Sequence, residues 1–107
     1  MSEQNQQSAI QQMLGDFAAK LVTLTDDVLF GDLWKRKELA PRDRSLVTVT
    51  ALIAGGNVEQ LPFHLTLAKD NGLTETELIE AITHLAFYTG WPKAMSAITV
   101  AKQVFLS

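Results

Sequence analysis

The sequence predicts an all-α domain of five to six helices with short connections. Three observations carry that expectation. Apolar residues recur at spacings of three, four and seven along most of the chain. Prolines and glycines fall where helices would start and stop, at Pro41, Gly55-Gly56, Gly72, Gly90 and Pro92. Thr74-Glu75-Thr76-Glu77, with Glu three residues after Thr, reads as a capping box opening an apolar run.

Taken in order, residues 1–8 are Gln-, Ser- and Glu-rich and are expected to fray. Ala9 to Trp34 carries Ile10, Met13, Leu14, Phe17, Leu21, Leu24, Val28, Leu29 and Leu33 at helical spacing. Thr25-Asp26-Asp27 can cap a new helix, so two helices are expected to meet near residue 24. Pro41 suits a first helical position, where a missing N–H costs nothing. The run from Leu46 to Ala54 is β-branched enough to pass for a strand, but its proline start, its Gly55-Gly56 stop and its length favour a buried helix over 41–54. Asn57-Val58-Glu59-Gln60 resembles a capping box for a helix running to Asn71-Gly72, with Pro62 close enough to the start to be tolerated. The Thr74 box opens a helix over 75–89 closed by Gly90, and Pro92 begins a last one over 92–106. Nothing inside the chain reads as a linker or repeat, so 1–107 is expected to form one domain.

Composition narrows the function. The chain has no cysteine, which removes disulfides, thiolate metal sites and cysteine nucleophiles. With two histidines, a multi-histidine metal site within one chain is not expected. Nine Lys+Arg against twelve Asp+Glu give a net charge of −3, a poor match to nucleic acid, whose binding rests on neutralising phosphates. No apolar run reaches the roughly 20 residues that span a bilayer, and the polar N-terminus lacks the order of a signal peptide. A cytoplasmic protein without metal, nucleic acid or membrane partners is expected. The helices at 41–54, 75–89 and 92–106 are apolar over more than one stripe each, more than so short a monomer can bury, so a homo-oligomer is expected.

Candidate chemistry is sparse. His64, in Leu61-Pro62-Phe63-His64-Leu65, sits in an apolar setting just inside a helix N-terminus. Both conditions disfavour imidazolium and leave a neutral ring able to donate or accept a proton. A core histidine satisfied by a carbonyl or carboxylate fits the same pattern. His84 follows Glu80 by four residues and Glu77 by seven, on one helix face. That is the spacing of a carboxylate-oriented imidazole, and equally of a solvated i,i+4 pair, which is the reading favoured by position. Arg44 gains nothing from the dipole of the helix it opens. It can hold a substrate carboxylate in bidentate fashion, or pair with a carboxylate across a subunit contact. Glu59 stands five residues before His64, and Tyr88 and Trp91 flank Gly90 as packing residues or as ligand contacts. Gly55-Gly56 lacks the Lys-Ser/Thr of a phosphate loop, and no serine elbow is present.

The order of several segments is more specific. Leu39-Ala40-Pro41-Arg42-Asp43-Arg44-Ser45-Leu46-Val47, Glu59-Gln60-Leu61-Pro62-Phe63-His64, Asn71-Gly72-Leu73-Thr74, Glu77-Leu78, and Ala86-Phe87-Tyr88-Thr89-Gly90-Trp91-Pro92 resemble the carboxymuconolactone decarboxylase family. Leu24-Thr25-Asp26-Asp27-Val28-Leu29-Phe30-Gly31-Asp32-Leu33-Trp34 resembles the upstream segment of its small stand-alone members, so the likeness runs over about residues 15–105.

The resemblance implies an all-helical, AhpD-like domain assembling as a trimer or hexamer, with sites near subunit contacts. It implies cofactor-free decarboxylation, or related lactone or enol acid–base chemistry, on a small carboxylated substrate. His64 would be proton donor or oxyanion partner, Glu59 or Glu80 would orient it, Arg44 would bind a carboxylate, and Tyr88 and Trp91 would wall the site. The alkyl hydroperoxide reductase D branch of the superfamily uses Cys-x-x-Cys followed by histidine. With that histidine on His64, Asn57 and Gln60 stand where the cysteines would be, which argues against thiol peroxidase chemistry. The alternative is a non-catalytic oligomeric binding or stress-response protein that keeps the fold.

Overall fold

The structure, a computed structural model, describes residues 7–107. Among these residues every regular element is helical and no strand forms, in agreement with the all-α expectation. The expected fraying of residues 1–8 falls, for 1–6, outside the described residues. Ser8 is the N-cap of the first helix. The chain divides between Glu38 and Leu39 into two compact units.

The first unit is a series of short helical turns. Helix α1 (Ala9–Leu14) is closed into a capping box by Ser8 and Gln11, and Gly15 at φ 52° ends it. Helix α2 (Ala19–Thr23) runs directly into a π-helical turn, Leu24–Phe30, and a 3₁₀ turn follows at Leu33–Lys35. Two helical elements thus meet at residue 24, as expected, though as a change from α to π winding without a break, and a further break lies at residues 15–18. Thr25 does not cap a helix. Its hydroxyl donates backward to the Leu21 carbonyl at 2.7 Å, the i−4 bond of a residue inside a helix. The Asp26 carboxylate accepts from the Ser8 hydroxyl at 3.0 Å, tying α1 to the π turn. Gly31 is required where the chain leaves that turn, because a Cβ there would lie 2.7 Å from the carbonyl oxygens of Asp26 and Asp27.

The second unit holds four longer helices: α3 (Pro41–Gly55), α4 (Leu61–Asp70), α5 (Glu75–Thr89) and α6 (Trp91–Leu106). Helix α3 is the hub, packed against the other three, and α6 also contacts α4 and α5. Pro41 occupies the first turn of α3, and Gly56 in the left-handed region ends it, with the Asn57 N–H closing on the Leu52 carbonyl at 2.8 Å. Between these punctuation marks the β-branched run is helical, because Ser45, Val49 and Ile53 then fall on one buried stripe.

Matching stripes face it: Leu61, Leu65 and Ala68 from α4, Leu78, Ile82 and Leu85 from α5, and Ala94, Ala97 and Ala101 from α6. The three alanines give α6 a smooth face for close approach. Burying each leucine contributes about 1.5–3 kcal/mol.

Two caps separate expectation from outcome. Thr74 and Glu77 form the reciprocal box as expected. Asn57 and Gln60 do not: residues 58–60 form a turn, and α4 starts at Leu61 with Gln60 as its N-cap and no side-chain cap bond. The reason is that Asn57 is already committed to closing α3. At the other end of the unit, Lys69 pairs with Glu75, and its ammonium lies 5.2 Å from the centre of the Phe105 ring, joining the end of α4 to α5 and α6. Among the described residues no helix is long and apolar enough to cross a membrane.

Candidate active site

His64 is the fourth residue of α4, in the first turn that Pro62 helps to start, between the fully buried Leu61 and Leu65. Its ring is half-buried, its Nδ1 is shielded from solvent, and Phe63 meets it edge-on with ring centres 5.0 Å apart. Burial pushes the imidazole below its usual 6.5, because desolvation penalises the charged form. Desolvation thus acts in the direction expected from the apolar flanks.

Arg44 stands in the first turns of α3, the helix against which α4 packs. Its Nε is buried, and the Thr48 hydroxyl donates to its carbonyl at 2.8 Å. The register of the two helices is marked by Ser45. Its hydroxyl, with no exposure, accepts from Asn71 Nδ2 at 3.0 Å, so the start of α3 lies beside the end of α4. His64 and Asn71 are seven residues apart, which places them on one face of α4 about 10 Å apart along the axis. Glu59 lies exposed in the turn before α4.

Glu80 is placed elsewhere. It lines an open groove of about 530 Å³ between α3 and α5, together with Arg42, Leu46, Thr50, Glu77 and His84. The structure therefore brings Glu80 together with His84 rather than with His64. Both are exposed, and the His84 ring stacks on Tyr88 at 4.9 Å. Arg42 bonds Glu77 across the groove. The Glu77 carboxyl is held below its usual range, first by the Thr74 backbone N–H and then by the Arg42 charge. Tyr88 and Trp91 stand at the corner between α5 and α6, 77% and 59% exposed, and Phe87 packs edge-on to Trp91 at 5.7 Å. These aromatics do not form part of the buried core.

Of the residues singled out from sequence, then, His64 and Arg44 share the α3–α4 pair, Glu80 and His84 share the α3–α5 groove, and Tyr88 and Trp91 share the α5–α6 corner. Arg42 in the groove and the Ser45–Asn71 bond had not been anticipated. A signal for Ser45 existed: a serine at i relative to Val49 and Ile53 at i+4 and i+8 lies on an apolar stripe and must find a partner.

Comparison with known proteins gives concordant results. The family model described as the carboxymuconolactone decarboxylase family matches residues 19–103. The chain is 36% identical over 92 residues to the 4-carboxymuconolactone decarboxylase of Acinetobacter baylyi, covering 86% of this chain and 69% of that protein. It is 35% identical over 74 residues to nitrosuccinic acid decarboxylase npaB of Metarhizium robertsii, covering 69% of this chain and about half, 52%, of that protein. Both relatives are decarboxylases by name, and the kinship is with carboxy-lyases. The chain belongs to the carboxymuconolactone decarboxylase family.

Proposed function

We propose that this protein is a cofactor-free decarboxylase of a small dicarboxylate whose carbanion can be delocalised. The names of the two relatives support the substrate class. A carboxylated muconolactone and a nitrosuccinate share two carboxylates and an electron-withdrawing group, a conjugated lactone carbonyl in one and a nitro group in the other. In such a substrate the bond to one carboxylate breaks, carbon dioxide leaves, and the electron pair moves onto the carbonyl or nitro oxygen. A proton from solvent then returns to carbon, so one proton is consumed for each carbon dioxide released.

The observation that carries the reading is the half-buried His64, whose charged form is disfavoured by desolvation, on the helix packed against the one that bears Arg44. Arg44 holds the carboxylate that stays. The neutral imidazole N–H faces the oxygen where charge grows, the arrangement that favours an oxyanion without an added charge. Carrying a proton from water to carbon then suits an imidazole of lowered proton affinity, because its imidazolium gives the proton up readily. Glu59 is the carboxylate assigned to orient it; Glu80, beside His84, is left to the α3–α5 groove. Tyr88 and Trp91, exposed in the protomer, would wall the site once a further copy covers them, in a trimer or hexamer of this one domain.

The test is carbon dioxide release from 4-carboxymuconolactone and from nitrosuccinate by the wild type and by His64→Gln. Loss of at least about 100-fold in turnover is expected of a missing proton carrier, with melting temperature and assembly kept. A His64→Gln variant that unfolds, dissociates or turns over normally overturns the assignment. Binding of both dicarboxylates without release of carbon dioxide would identify a binding protein that keeps the fold.

A further inference from the structure

Ser45 and Asn71 have no part in the chemistry proposed above, yet Ser45 is fully buried and bonded to Asn71 at 3.0 Å. An apolar pair could fill the same space. What a hydrogen bond adds is direction: apolar contact tolerates sliding, whereas a hydrogen bond weakens steeply with misalignment and distance.

The position of the bond gives that directionality a consequence. Helix α4 is joined to α3 at one end by the turn at residues 56–60. At its other end, Asn71 closes α4 by a backbone N–H to the Leu67 carbonyl at 2.9 Å, while its side chain reaches Ser45. Ser45 directly follows Arg44 in the chain, and Asn71 shares a face of α4 with His64, two turns away. The bond thus links the residue next to the carboxylate binder with the helix that carries the imidazole.

We infer that Ser45 and Asn71 are positioning residues, whose hydrogen bond sets the register of α4 on α3 and thereby the separation of Arg44 from His64; this rests on the roles proposed for those two residues. Misplacing reacting groups by about 1 Å costs on the order of 100-fold in rate. The pair therefore acts on kcat rather than on substrate capture, because Arg44 itself is unchanged.

The experiment compares wild type, Ser45→Ala, Ser45→Thr and the double variant Ser45→Ala/Asn71→Leu, with His64→Gln and Arg44→Lys in the same assay. Ser45→Ala is expected to lower kcat about 10- to 100-fold with KM nearly constant, and Ser45→Thr, which keeps the hydroxyl, to restore much of it. The double variant removes the stranded amide and so regains melting temperature, but kcat stays low because the directional link is still missing. Recovery of kcat together with melting temperature would show a structural bond only and overturn the inference. If His64→Gln and Arg44→Lys lose turnover while Ser45→Ala does not, the positioning role alone fails. If those two retain turnover, or the wild type has none, the proposed function fails instead. The inference is then decided by NMR titration of the His64 ring, whose midpoint should move toward 6.5 in the double variant as the ring gains water; an unmoved midpoint overturns it.

Discussion

His64 shows how a single side chain takes its properties from its neighbours. Its flanking Leu61 and Leu65 are fully buried, and the ring between them is depressed in pKa by desolvation. The sign of the stability effect follows from linkage. The folded value lies below the unfolded 6.5, so in the window between them the unfolded chain binds more protons. The contribution of a neutral His64 is therefore fully present above 6.5, declines as pH falls through that window, and levels off once the folded ring is also protonated. Denaturation of wild type and His64→Gln across this range should give a stability difference that is flat above 6.5 and shifts against the wild type below it. Parallel profiles would mean that burial does not govern this histidine. The apolar flanks were legible in the sequence. The pairing of Ser45 with Asn71 was not, because 26 residues separate them and only the antiparallel return of α4 brings them together.

At the level of elements, local chemistry predicted the helices wherever a cap had no competing use. Thr74 satisfies the Glu77 N–H at 3.0 Å, and Glu77 returns a bond to the Thr74 N–H at 3.0 Å. Thr74→Ala should lower unfolding free energy by about 1 kcal/mol, read by chemical denaturation, with helix content by circular dichroism nearly unchanged. A loss below a few tenths of a kcal/mol would show that tertiary packing, not the cap, starts α5. Where a residue had two uses, the sequence misled. Asn57 closes α3 and so does not cap α4. Thr25 bonds back within its own helix and caps nothing. Gly15 at φ 52° ends α1 and makes a break that the apolar spacing does not reveal. The β-branched run in α3 was the reverse case: its strand propensity lost to the proline and glycine that bound it and to the stripe it buries.

For the whole molecule, the exposed aromatics carry the weight. Phe87, Tyr88 and Trp91 are 77%, 77% and 59% exposed, and Met95 follows at 52% one turn into α6. An exposed group of large apolar side chains of this kind is a liability for a monomer and suits contact between copies. Light scattering on the purified chain should therefore report a mass that is a multiple of 11.8 kDa. A Phe87→Ser/Trp91→Ser variant should shift that mass toward the protomer, and a wild type that runs as a monomer would remove the proposed assembly.

The sequence by itself determined the helical class, the limits of α3, α5 and α6, the absence of thiol chemistry and the family, because each rests on residue type and short-range spacing. Which neighbouring helix each candidate faces was decided only by the tertiary structure. Glu80 and His84 line the α3–α5 groove, while His64 belongs to α4, which packs on the helix that bears Arg44. Helical periodicity states which residues share a face, but not which face of which neighbour they meet; that depends on packing α3 against three partners at once.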